Sequence, residues 1–336
     1  MRYYLLTLTD PLTKKPPVDA AGRPIGPFDT SKTPGRGLHI EFDVITTGLD
    51  IVNSGTMLAI YGLPVDVLKQ SVKLQGCQVS LLAGFSKGLP LANEEQRGEI
   101  IYGEVFSAYA NWIGTNQSLN LIINPTVRKN ADGQPLGLSV YGRKGELLGN
   151  VIARSLREIY PKKKIVCTVS EKLVLPEDCP WTYQPDVASL AMAVRSLSIA
   201  LMRDNTYAGV GIVMHSDMIR IYDNTSIDWS FAKAIQPYEL VGQPTWIEPF
   251  VMTFKCPLRG DIHCGDIVAL PQDFMSGPTG ILMTNTTPFG SMAKDNVIFS
   301  GKFLIRSVRH IGSYLVADGD AWVTIFEGIA DNWKTA

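Results

Sequence analysis

From Leu38 to Val44, apolar Leu38, Ile40, Phe42 and Val44 alternate with His39, Glu41 and Asp43. A period of two over seven residues predicts a strand with one face in a core and one in water. Further strand signals follow at Met57–Tyr61, Val79–Phe85, Ile100–Tyr109 and Leu119–Ile123. Gly62-Leu63-Pro64, the stretch from Gly84 to Gly88, and Thr115-Asn116 punctuate them as turns. Several short strands at this spacing predict a sandwich or a barrel.

The period changes after Pro125. Leu147, Leu148, Val151, Ile152, Ser155, Leu156 and Ile159 recur at helical spacing, and Pro161 ends the run. A second helical pattern uses Val187, Leu190, Ala191, Val194, Leu197, Leu201 and Met202, with Pro185 expected at its first position. Strand-like stretches at Ile165–Val169, Val210–Met214 and Met218–Tyr222 complete a small α/β segment. From Val241 the β pattern returns at Phe250–Phe254, Asp266–Leu270, Val297–His310 and Trp322–Glu327.

This last part echoes the first. Ile100-Ile101-Tyr102-Gly103-Glu104-Val105-Phe106 resembles Val297-Ile298-Phe299-Ser300-Gly301-Lys302-Phe303, and a tip containing Ile-Gly follows each. A short closing strand then ends each unit, Leu119–Ile123 or Trp322–Phe326. Two similar β units with an insertion between them are the expected organisation. Residues 1–37 form an amino-terminal arm or loop, 38–124 the first β unit, 125–235 the inserted α/β domain and 236–336 the second β unit. The Pro- and Gly-rich stretch 11–37 is read as unstructured alone and free to lie across a neighbouring subunit.

Composition narrows the function. Hydrophobic residues make up 45% and charged residues 19% of the 336, which suits a folded chain with a sizeable core. The net charge of −1 lacks the basic excess of a duplex-wrapping groove and offers little repulsion against self-association. Five widely spaced cysteines, Cys77, Cys167, Cys179, Cys256 and Cys264, do not form a secreted disulfide framework, so free thiols are expected. The amino-terminal apolar run is stopped by Asp10-Pro11, and Ser189–Met202 is broken by Arg195. A soluble protein without a signal peptide or membrane span is expected.

Candidate chemistry is sparse. Gly84-Phe85-Ser86-Lys87-Gly88 matches the nucleophile elbow of serine hydrolases, but a new strand rather than a helix is expected after it, which puts Ser86 in a hairpin loop. Cys256, His263, Cys264 and His310 could gather around zinc, yet adjacent His263 and Cys264 on a strand would point to opposite faces. Glu94-Glu95 and Arg97 lack a marked second carboxylate for glycoside hydrolysis. Lys162-Lys163-Lys164 reads as a solvated cap at a helix C-terminus. No Walker A, HExxH or dinucleotide motif is present. The expectation is therefore no catalytic, cofactor-binding or metal-binding residue.

Ile60-Tyr61-Gly62-Leu63-Pro64, Leu74-Gln75-Gly76-Cys77-Gln78-Val79, Ala83-Gly84-Phe85 and Ile101-Tyr102-Gly103-Glu104-Val105, in that order, resemble the first tube-like barrel of baseplate hub proteins of contractile-tailed phages. Val241-Gly242-Gln243-Pro244, Gly265-Asp266-Ile267-Val268, Phe299-Ser300-Gly301-Lys302-Phe303 and Ile305–His310 resemble the second. Gly209-Val210 and Ile219–Asp223 are similar to the domain inserted between them. The resemblance implies an α+β, mainly β fold: two tail-tube-like antiparallel β-barrels flanking a small α/β insertion. It further implies a homotrimer whose six barrels match a sixfold tail tube to a threefold central spike. Tube, spike and other baseplate proteins would be its partners, DNA only passing cargo in the lumen, and no membrane would be involved. Such a protein is assembled in the host cytoplasm and resides in the virion tail baseplate. The competing reading is a serine hydrolase or cell-wall-degrading enzyme built on Ser86. A tail-tube subunit is a third option, disfavoured by two barrel units in one chain.

Overall fold

The computed structural model describes residues 1–32, 37–49, 56–86, 93–124, 137–161, 163–178, 183–204, 207–215, 218–248, 250–271 and 301–331. The first β region holds β1 (Arg2–Thr9), β2 (Phe28–Asp29), β3 (Ile40–Thr46), β4 (Thr56–Tyr61), β5 (Gln78–Phe85), β6 (Gly98–Ile113) and β7 (Asn116–Asn124), with a one-turn helix α1 (Val65–Leu68) after β4. The insertion holds α2 (Leu148–Ile159), β8 (Lys164–Thr168), α3 (Val187–Met202), β9 (Gly211–Met214) and β10 (Met218–Tyr222). The second β region holds β11 (Lys233–Ala234), β12 (Thr245–Glu248), β13 (Val251–Pro257), β14 (Ile267–Leu270), β15 (Gly301–Ser313) and β16 (Trp322–Ala330). No described helix is long and apolar enough to cross a membrane.

Alternation decides which face of each strand is buried. Ile40, Phe42 and Val44 of β3 are buried while Asp43 and Ile45 are exposed. Tyr4, Leu6 and Leu8 of β1 enter the same core as Leu58, Ile60, Val79, Leu81, Leu119 and Leu121. A second core forms under β13–β16 from Phe254, Cys256, Phe303, Ile305 and Phe326. The insertion has its own core, where Leu148, Val151, Ile152 and Leu156 of α2 meet Leu190, Ala191 and Val194 of α3. α3 starts at Asp186, whose carboxylate accepts from the Ser189 amide at 2.7 Å. Asp186 rather than Pro185 therefore sets the start, by satisfying an otherwise orphaned first-turn amide. Beneath the helices β8, β10 and β9 form a three-stranded sheet, with β8 parallel and β9 antiparallel to β10.

The two β regions share one strand order. In the first, the neighbours run β3-β4-β7-β6-β5-β1. In the second they run β12-β13-β16-β15-β14-β11. The match extends to irregularities. The β6–β7 hairpin carries a bulge between Val105 and Ser107, and the β15–β16 hairpin carries one between Ile305 and Ser307. Positions 105–113 thus correspond to 305–313. They differ at the far end, where β1 pairs antiparallel to β5 over eight positions but β11 pairs parallel to β14 over two.

Two expectations are corrected. Among the described residues, neither β region closes on itself as a barrel. Among the described residues the strands form one 13-stranded sheet, because β3 lies between β4 and β15 and so joins the first region to the second. An open strand edge needs a neighbour, and here the other region supplies it. The expected arm at 1–37 is also partly core. β1 is a sheet strand, β2 pairs with it, Ile25 is buried, and Thr30 exchanges hydrogen bonds with the Tyr4 backbone at 3.0 and 3.1 Å. Apolar Tyr3 and Leu5 stand between Tyr4, Leu6 and Leu8 and blur the alternation of β1. Val297–Ser300 of the sequence echo lie outside the described residues, as do Pro125, Lys162 and Cys179.

Candidate functional site

Ser86 follows β5 directly. Its hydroxyl donates to the Met1 carbonyl at 3.1 Å and its amide donates to the same oxygen at 2.8 Å. The hydroxyl thus fastens the chain terminus to the end of a strand. Lys87 and Gly88 of the motif lie outside the described residues. Glu94, Glu95 and Gln96 form a short 3-10 turn capped by Asn93, whose side chain accepts from the Glu95 amide at 2.9 Å. Arg97 donates to the Phe85 carbonyl at 2.6 Å, pairs with Glu94 at 3.0 Å and lies over the Tyr3 ring. Arg97 therefore ties the start of β6 to β5 and β1. Lys163, read as part of a solvated cap, instead donates to the His215 carbonyl at 2.6 Å and sits over Tyr102. It links the insertion to the first β region.

The cysteine and histidine candidates separate. His263 and Cys264 lie in the turn region before β14. The Cys264 thiol donates to the Thr46 carbonyl at 3.1 Å, and burial pushes its pKa up to about 12. Burial likewise raises Cys256 to about 12 and Cys77 to about 11. His263 stacks edge-on against His215, with ring centroids 4.6 Å apart. His310 is buried and shares a 2.9 Å hydrogen bond with Thr324; burial first, then His263, lowers its pKa to about 3. Asp266 is committed elsewhere, to Arg220 at 2.7 Å, Lys233 at 3.2 Å and the His263 amide at 3.0 Å. Burial raises its pKa, but those three cationic and amide partners outweigh it and hold the carboxylate ionised. Among the described residues, no group of three or more His, Cys, Asp or Glu side chains is placed to hold a metal ion.

The distinctive geometry lies along sheet edges. Where the regions join, Val308–Ser313 of β15 pair antiparallel with Glu41–Thr46 of β3. Inward-facing Val308, His310 and Gly312 are buried there. A Cβ on Gly312 would run into the Phe42 ring, so the missing side chain lets Phe42 cross the junction. Trp322 packs edge-on to Phe42, and its indole donates to the Gly84 carbonyl at 2.9 Å. On the outer face Arg309 forms a bidentate pair with Asp43.

The corresponding half of β6 is different. No described strand lies beside Tyr109–Ile113 on the side away from β7. All five residues are exposed, Trp112 and Ile113 at 70%. β12 is the outermost strand at the other end of the sheet, and Thr245–Glu248 are all exposed. Sequence patterning missed this surface, although Tyr109-Ala110-Asn111-Trp112-Ile113 breaks alternation with an uncharged, aromatic-bearing run.

No family model matches the chain, and no curated protein matches it. Among solved structures, it is similar to the tail protein from Neisseria meningitidis MC58 at 8% identity and a TM-score of 0.47, over 98% of this chain and 97% of that one. It is similar to the prophage MuSo2 43 kDa tail protein from Shewanella oneidensis at 7% identity and a TM-score of 0.47, over 98% of each chain.

Proposed function

We propose that this chain is a structural virion protein, a hub that joins a sixfold tail tube to a threefold spike in a phage-type tail baseplate. The observation that carries the reading is the repeated strand order within one chain, down to the matching bulges after Val105 and Ile305. A chain with two equivalent β units can present sixfold-like surfaces from three copies, which mates rings of different symmetry without breaking either. The strand-to-strand junction between the units extends this logic, since it is a contact that a ring can repeat. Ser86, bonded to the Met1 carbonyl, serves structure in this account. The partners would be tube, spike and neighbouring baseplate proteins, with DNA passing through the lumen.

Electron microscopy of the purified protein, alone and with tail tubes from the same particle, tests the proposal. Rings with an open centre that seat on tube ends are expected, and Ser86→Ala should leave them unchanged. Particles without a central opening, or hydrolysis of ester or cell-wall substrates that Ser86→Ala abolishes, would overturn it.

A further inference from the structure

We infer that the seat of the insertion on the second β region is an acid-sensitive joint, held by the neutral rings of His215 and His263 and loosened when His263 takes up a proton. The joint lies within one chain and stands apart from the ring reading above.

His215 follows β9 directly, and His263 lies in the turn region before β14, so the two rings belong to different units. Their centroids are 4.6 Å apart, edge to face. The His215 carbonyl accepts from the Lys163 ammonium at 2.6 Å, and that ammonium sits over the Tyr102 ring of the first β region. All three units therefore converge on this pair of histidines. Further ties across the same seam are the Arg220–Asp266 ion pair at 2.7 Å and Val213, which enters the core of the second β region. The insertion keeps a core of its own, so the seam can loosen while α2 and α3 stay packed.

The charges around His263 balance only while its ring is neutral. Asp266, 3.8 Å from the ring, is held by Arg220 from β10 and Lys233 from β11. Asp261 of the same turn region is held by Arg259, which also lies 3.6 Å from Glu239. Among the described residues those are three cations and three carboxylates, and Lys163 adds a fourth cation on the His215 side. His310, buried on β15, is close enough to feel the same charge. A proton on His263 therefore enters a cluster in which each of these carboxylates already has a cation. Burial first, then Lys233 and Arg220, lowers its pKa below the ordinary 6.5, against the pull of Asp266 and Asp261. A value depressed in the closed joint means that the ring's contribution is complete above 6.5 and is lost as pH falls from there. A second proton, on His215, would set two like charges on rings 4.6 Å apart.

Hydrogen exchange at pH 7.5 and 5.5, corrected for the intrinsic effect of pH on the rates, tests the joint. Protection of Gly211–Met214, Met218–Tyr222 and 261–266 should fall at the lower pH, by up to about tenfold for one titrating ring. The fall should exceed any shared by the β15–β16 hairpin. His263→Phe keeps a ring with no proton to gain and should hold protection equal at the two pH values. His263→Gln serves the same purpose if the larger ring disturbs the turn. His263→Arg, with a fixed charge, should show the low-pH protection already at pH 7.5. His310→Gln should leave the fall in place, which separates the joint from the loss of overall stability caused by the buried His310 ring. Wild-type protection that does not change with pH, a fall that His310→Gln abolishes, or an equal fall in wild type, His263→Phe and His263→Gln would overturn the joint.

Discussion

The two long hairpins, β6–β7 and β15–β16, have the same length of pairing and the same bulge, but their outer ends meet opposite fates. At positions 308–313 the inward side chains are buried by β3, and the tryptophan sits on the second strand as Trp322. At positions 108–113 only Ala108 is buried, and the tryptophan sits on the first strand as Trp112. One backbone plan therefore serves twice, once as an internal seam and once as an edge that no other described strand covers. What differs is not strand-forming tendency but whether a neighbouring strand is supplied by the same chain.

The contrast can be broken most severely at its tryptophans. Trp322→Ala removes a nearly fully buried ring and its hydrogen bond to Gly84, and should cost about 3–5 kcal/mol in chemical denaturation. Gln117→Ala, the equivalent position in the first hairpin, should change monomer stability by less than about 0.5 kcal/mol. Equal losses at both positions would mean that the seam and the edge are not distinct environments. Gly312→Ala comes next, because its Cβ would meet the Phe42 ring. The overpacking should cost about 1–3 kcal/mol. If thermal melting is unchanged, Phe42 does not depend on the missing side chain.

Acid sharpens the comparison at the neighbouring position, where His310 stands in the seam and Ala110 in the edge. The native state keeps the buried His310 ring neutral down to about pH 3, while the unfolded chain takes up a proton near its ordinary value of 6.5. Stability from this group is therefore complete above pH 6.5 and falls as pH drops from there towards 3, by about 1.4 kcal/mol per unit. Urea unfolding at pH 7.5 and 5.5 should show a smaller acid loss in His310→Gln than in the wild type. Matching slopes would contradict a buried neutral imidazole. The smallest effect is expected on the outer face. Arg309 and Asp43 are both half-exposed, so Arg309→Ala should cost only about 0.5 kcal/mol, further reduced by salt. A loss of several kcal/mol would show that the ion pair, rather than the packing of Phe42 and Trp322, holds the seam.

Much of this plan was readable from residue order. Alternation located β3, β4, β5, β7 and β14 to within a few residues, and helical spacing located α2 and α3, because each has one face in a local core. The sequence echo set 100–106 against 297–303, three residues out of the register of the matching bulges, which align Val105 with Ile305. What could not be read were features decided by distant partners. In β1 the apolar Tyr3 and Leu5 interrupt the alternation of Tyr4, Leu6 and Leu8, so the strand shows only once β5 pairs along its whole length. Strand spacing left a sandwich or a barrel open and the family resemblance implied two barrels, but neither says whether β3 will pair within its own region or with β15. Asp266, whose carboxylate accepts from the His263 amide, holds the turn region before β14. The outer end of β6 gave no signal of alternation, and no described strand covers its inward side.

The central proposal is that the two β regions are equivalent units, three copies of which form a ring. Multi-angle light scattering across a concentration series, with and without the spike partner, tests it directly. The account predicts a particle of three times the 36.9 kDa chain mass, formed alone or on adding the spike. A stable dimer under both conditions, or a monomer throughout, would contradict it.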